Sequence, residues 1–143
     1  MKINNQHKTK INTNFSITEV NTTLLEKDII RNFYGNDPEI PQTIYDRIQK
    51  SISKGNNTNA LLKIKIKNES SIWVKNTFYP KNINNLKFKV KTIIADDNKT
   101  DIIKNLYNSL IRIEQKLSLK KADKFLEGYL EEKCMNFNDL ISF

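Results

Sequence analysis

Three strand-like segments follow one another between Leu61 and Ala95, and they constrain the fold more than any other part of the sequence. Apolar residues alternate with lysines in the first segment (62–67) and in the third (87–91), and the second segment (72–80) contains Trp73. Such alternation is typical of strands with one buried and one solvated face. The short polar joints at 67–71 and 81–85 suit hairpin connections. The sequence therefore predicts an antiparallel three-stranded meander.

The rest of the chain reads as a short hairpin and several helices. Strand candidates at 8–12 and 16–20 predict the hairpin, and a short helical pattern follows at 22–34. A helix is predicted from about Pro41 to Lys54, with Gly55 as its C-cap. Beyond Ala95, apolar residues at steps of three and four predict a long helix with one buried stripe: Ile103, Leu106, Leu110, Ile113 and Leu117. A new stripe starts at Leu119, which places a bend or a joint near Ser118.

A chain of 143 residues can bury one core of ordinary size. We expect an α+β fold in which residues 1–98 form a domain and residues 99–143 form a helical extension. This extension either covers the sheet of its own domain or pairs with another molecule. Trp73 and Tyr79 raise the same question, because they share a lysine-bearing strand face and would contact either the terminal helix or a partner.

The formal charge of +8 invites a nucleic-acid hypothesis. The bases are 21 lysines and only 3 arginines, in a chain that also has 20 asparagines and 20 isoleucines. Because arginine is the residue that reads bases and clamps phosphates in two-point contacts, the lysine excess favours solvated strand faces. We therefore expect no nucleic-acid partner, and a basic nucleic-acid-associated protein is the third hypothesis.

The sequence shows no pattern of catalysis, metal binding or membrane insertion. Cys134 is the single cysteine, and His7 is the single histidine, with no cysteine near it in the sequence to share a metal. Residues 1–7 contain no apolar stretch of an export signal, and no apolar run is long enough to span a bilayer. We expect a cytoplasmic protein that is neither an enzyme nor embedded in a membrane.

The order of two strands, short helices, a longer helix and a meander resembles a PAS domain, which implies a five-stranded antiparallel sheet with short helices on one face. The motifs are similar to those of the bacterial aerotaxis and energy-taxis transducers: a strand ending in Asn21, a proline-flanked turn, a helix closing on Lys-x-Gly, and a tryptophan strand closing on proline. In this sequence they fall at residues 17–21, 38–41, 45–55 and 72–80.

The resemblance implies a ligand pocket that holds FAD in that family, but this chain departs from the pattern there. The Arg-His pair of the family falls on Asn36 and Asp37, and its two tryptophans fall on Gln49 and Thr58. These replacements remove cations and rings that would favour a flavin and its pyrophosphate. We expect no cofactor, with FAD as the alternative, and the candidate ligand contacts are Asn21, Asn36, Asp37, Ile48, Ile72, Val74 and Phe78.

The leading hypothesis is a PAS-type signal-transduction module of a taxis system that acts by protein contact. Its partner would be a second copy, giving a homodimer, or the cytoplasmic segment of a membrane chemoreceptor. The predicted interface comprises the helical stripe together with Trp73 and Tyr79. The second hypothesis is a flavin-binding redox or energy sensor.

Overall fold

The structure, a computed structural model, describes the backbone of residues 6–11, 15–21, 35, 37–65, 70–82, 87–95 and 98–141. Side chains are described from residue 35 onward within those ranges, except at 82 and 87. The predicted helical pattern at 22–34 lies outside the described residues.

The strands pair in antiparallel fashion throughout the described ladder. The hairpin of β1 (Gln6–Ile11) and β2 (Phe15–Asn21) places Thr9 opposite Thr18. The meander consists of β3 (Thr58–Lys65), β4 (Ser71–Asn82) and β5 (Lys87–Ile94). Along the ladder the backbones follow the order β1-β2-β5-β4-β3. The predicted hairpin and the predicted meander are both confirmed.

The predicted architecture, a PAS-like five-stranded sheet with short helices on one face and a helical extension, is wrong. It does not describe the body of the protein that packs around the hydrophobic core. Among residues with described side chains, that body is α+β with a three-stranded antiparallel sheet, β3 to β5, and three helices. β1 and β2 pair with the ladder through their backbones, and their side chains lie outside the described part of the structure. The class α+β is therefore confirmed, and the architecture within it is corrected.

The lysine alternation predicts one buried and one solvated face for the sheet, but β3 is buried on both faces at Leu61 and Leu62. Leu61 and Leu62 are neighbours in β3 and point to opposite faces of the sheet. Both are fully buried, so both faces of the sheet are covered at this point. Lys63 and Trp73 are direct cross-strand partners, and the Lys63 side chain is only 12% exposed. The aliphatic part of the Lys63 side chain is packed, and its ammonium group pairs with negative charge at the edge of the packed region.

Helix α1 (Gln42–Ser53) packs against β3 and β4 and buries Ile44, Ile48 and Ile52. The C-cap is Lys54, and the next residue, Gly55, has a φ of 79°, a left-handed conformation that glycine adopts without steric cost. The Gly55 amide donates to the carbonyl of Ile52 at 2.9 Å. The helix predicted from about Pro41 to Lys54 is thus confirmed.

Helices α2 (Asn98–Lys116) and α3 (Leu119–Glu132) form a helical hairpin. The Ser118 side chain accepts a hydrogen bond from the amide of Lys121 at 3.1 Å and caps α3, so the predicted joint at Ser118 is confirmed. Core residues from both sides of the predicted boundary at 98/99 lie in one hydrophobic cluster. The division into two domains stays a prediction.

The start of α1 depends on a carboxylate from α2. Pro41, at the N-cap position, provides no side-chain acceptor, and the first turn contains no acidic residue. Glu114 supplies the missing acceptor: the amides of Gln42 and Thr43 donate to its carboxylate oxygens at 3.1 and 2.8 Å. A negative charge at this position also interacts favourably with the positive end of the helix dipole. One side chain therefore caps α1 and ties it to α2.

We expect Glu114→Ala to lower the free energy of unfolding by about 1–2 kcal/mol, because it removes a cap and leaves helix amides without an acceptor. Urea denaturation followed by circular dichroism measures this loss. Glu132→Ala is the matched control, since Glu132 is an exposed carboxylate at the end of α3. Equal losses in the two variants would contradict the capping role.

The outer edge of β3 is covered by side chains. The hydroxyl of Tyr107, on α2, donates to the carbonyl of Leu61 at 2.7 Å, and the amide of Asn59 donates to the Asn138 side chain at 3.4 Å. Asn59 and Leu61 are two residues apart, so these backbone groups point to the same edge. Because an unpaired strand edge is a template for pairing with another chain, this cover protects the edge at Asn59 and Leu61.

Tyr107 gives the fold a dependence on alkaline pH. Burial raises the pKa of its phenol above the ordinary value of 10.0, although the hydrogen bond to Leu61 opposes the shift. Below pH 10 the phenol is neutral in both the folded and the unfolded chain, and its contribution is fully present. Above about pH 10 it ionises only in the unfolded chain, so stability falls as pH rises.

We expect Tyr107→Phe to lower the free energy of unfolding by about 1–2 kcal/mol at neutral pH, because the Leu61 carbonyl loses its donor. The variant should also lose less stability than the parent between about pH 8 and about pH 11, since it lacks the shifted phenol. Urea denaturation at the two pH values measures both effects. Tyr79→Phe is the control, and an alkaline loss in Tyr107→Phe as large as in the parent would refute the assignment.

Candidate functional site

Most of the predicted partner stripe is internal to this fold. Ile103, Leu106 and Leu110 are buried in the hydrophobic core, where α2 packs on the chain's own body. Ile113 is partly buried against the core, and Leu117 is 65% exposed. The first three residues of the stripe therefore belong to the core, and the last two reach the surface.

Trp73 contacts the chain's own helix. Its ring centroid lies 6.2 Å from that of Tyr107 on α2. The ammonium groups of Lys63 and Lys104 lie 5.4 and 5.0 Å from the Trp73 ring centroid, within the range of cation–π attraction. For Trp73 the structure supports cover by the terminal helix. Tyr79 remains 37% exposed.

Four of the predicted ligand contacts lie in the core or against it. Ile48, Val74 and Phe78 are fully buried, Ile72 packs against the same cluster, and the Phe78 ring lies 5.9 Å from that of Phe88.

Asp37 lies in the turn before α1, where it accepts from the amide of Glu39 at 2.8 Å and pairs with Lys63 at 3.5 Å. Asn21 ends β2 opposite Lys87, with its side chain outside the described part, and Asn36 lies outside the described residues.

The helical hairpin carries an apolar groove at the surface, which we name the α2–α3 groove. It has a volume of about 340 Å³ and is lined by Ser109, Arg112, Ile113, Lys116, Leu117 and Phe125. Leu117 is 65% exposed and directly follows the end of α2 at Lys116. Phe125 is 44% exposed on the neighbouring helix. Ile113, Leu117 and Phe125 thus present apolar surface to one groove.

The rim of the groove is positive. Arg112 and Lys116 lie four residues apart on α2, on one face of the helix, and both are exposed. Neither forms an ion pair with any residue that the structure describes. The groove thus combines an apolar floor with uncompensated positive charge.

α3 is held in place from the side opposite the groove. Ala122, Leu126 and Leu130 are buried. Arg47 of α1 contacts Asp123 at 2.8 Å and Glu127 at 2.6 Å. Partial burial lowers the pKa of Arg47, but the hydrogen bonds and charges of the two carboxylates outweigh it and raise the pKa above its ordinary value. Arg47 therefore stays charged and links α1 to α3.

The stripe pattern identified Ile113 and Leu117 but missed Arg112, Lys116 and Phe125. One signal was present in the sequence. Phe125 falls outside the stripe of Leu119, Ala122, Leu126 and Leu130, so a helix that buries this stripe leaves an aromatic ring exposed. That ring becomes part of a groove only because α3 packs beside the end of α2.

Compared with known proteins, the chain matches no family model and no curated protein. Within the described residues, no helix has the length and apolar character needed to cross a bilayer. The same residues bring together no group of three or more histidine, cysteine or acidic side chains that could hold a metal ion.

Proposed function

We propose that this protein is a protein-interaction module whose α2–α3 groove binds an acidic amphipathic helix of another protein. The observation that carries the proposal is the convergence of exposed Leu117 and Phe125 between the basic side chains of Arg112 and Lys116. A helix that presents leucine-like anchors on one face can seat them in such a groove. Acidic residues beside the anchors would meet the basic rim.

Charge favours a different protein over a second copy as the occupant. The chain carries a formal charge of +8, and a second copy would bring an equally basic groove rim to the interface. Like charges brought together at an interface are unfavourable. The signalling role in a taxis system stays a prediction, in which an acidic segment of a receptor's cytoplasmic region would be the occupant. The cytoplasmic location and the absence of enzymatic activity also stay predictions.

The test uses a synthetic helical peptide with leucines at positions i, i+3 and i+7 flanked by glutamates, titrated into the full chain by isothermal calorimetry. We expect binding to one site, and Leu117→Ser and Phe125→Ser should each weaken it by about tenfold or more, since anchor contacts dominate such interfaces. Ile102→Ser is the matched control, because Ile102 is 59% exposed on α2 and lies outside the groove.

A second peptide with lysines in place of the glutamates tests the charge argument and should bind more weakly. Equal binding of both peptides would contradict the proposed charge complementarity, and equal weakening in Ile102→Ser would contradict the assigned groove. Self-association of the parent that Phe125→Ser abolishes, seen by analytical ultracentrifugation, would identify a second copy as the occupant and refute the proposed partner.

A further inference from the structure

A second concave surface lies between α1 and the first turns of α3, and we name it the α1–α3 cleft. Its volume is about 570 Å³, which falls within the roughly 300–1,000 Å³ of small-molecule sites. Lys50, Ser51 and Lys54 line it from α1 and its C-cap, and Lys120 lines it from α3. Asn56 and Phe137 also contribute to its wall.

The lining of the cleft carries a net positive charge, because it has one more cation than carboxylates. The wall carries four cations and three carboxylates, and Arg47 holds two of these carboxylates, Asp123 and Glu127. The third, Asp46, accepts a hydrogen bond from the Gln42 side chain at 2.7 Å. Among the residues that the structure describes, Lys50, Lys54 and Lys120 form no ion pair.

The arrangement of these lysines suits a multiply charged anion. Lys50 and Lys54 are four residues apart, so their side chains emerge on one face of α1. Lys120 approaches from the facing helix. Lys120 lies in the first turn of α3, which contains no acidic residue. A cation at this position is unfavourable because it lies near the positive end of the helix dipole. An anion in the cleft would offset this unfavourable placement.

We infer that the α1–α3 cleft binds a small phosphorylated molecule. Lysine ammonium groups are point charges that bind phosphate oxygens, and the Ser51 hydroxyl and the Asn56 amide can donate further hydrogen bonds. Leu119 and Phe137 give the same cleft an apolar wall for the uncharged part of the ligand. Charge for phosphate and an apolar wall thus occur in one cavity of small-molecule size.

The cleft is independent of the α2–α3 groove, although both include residues of α3. Asp123 and Glu127, four residues apart, line the cleft, whereas Phe125 between them lines the groove. The two proposals therefore rest on different faces of one helix, and either can fail alone.

The test is isothermal calorimetry of the full chain with ADP and, separately, with inorganic pyrophosphate. We expect one site per chain, with Lys50→Gln and Lys120→Gln each weakening the binding by about tenfold or more. Lys124→Gln is the matched control, since Lys124 is an exposed lysine of α3 outside the cleft. Circular dichroism establishes that each variant is folded.

Two results would overturn the inference. One is no saturable binding of either probe; the other is equal weakening by all three lysine variants, which would indicate non-specific attraction to a basic surface. A single-stranded oligonucleotide serves as a further probe, and its binding in the absence of ADP binding would assign the surface to nucleic acid instead. Binding of the acidic peptide to the groove should be unchanged in Lys50→Gln.

Discussion

The structure of this protein depends on the burial of strand β3 by the rest of the chain. The adjacent residues Leu61 and Leu62 are both fully buried on opposite faces of the sheet, and the outer edge of the strand is closed by Tyr107 and Asn138. A strand in this position requires apolar surface on two sides and donors and acceptors along its edge. The C-terminal helices meet much of this requirement, which is why they share a core with the sheet.

Polar contacts then fix how the helices are arranged around that core. Glu114 joins the start of α1 to α2, and Arg47 joins the middle of α1 to α3. Both contacts connect residues more than seventy positions apart in the chain, so they are available only once the fold has closed. The Arg47 contacts also tie down α3, the helix whose two faces line the groove and the cleft.

Local patterns predicted the elements well, and the failures came where contacts between distant segments decide. The meander, the helix ending just before Gly55 and the joint at Ser118 follow from periodicity and capping residues. The double cover of the sheet does not, because Lys63 reads as solvated although its stem is packed and its ammonium group lies 3.1 Å from Glu39. The consecutive leucines at 61 and 62 were the available indication. The groove depends on how α3 packs beside α2, so the stripe alone identified Ile113 and Leu117 but not Phe125.

Trp73 is the one tryptophan in the sequence, and it stands between the sheet and α2, beside Tyr107 and two lysines. When fluorescence is excited at the red edge of the absorption band, the emission therefore comes from a single indole at this junction. A change in that emission reports the separation of α2 from β4, with no second fluorophore of its kind to obscure it. The molecule thus contains a native optical probe for the packing step that encloses its core.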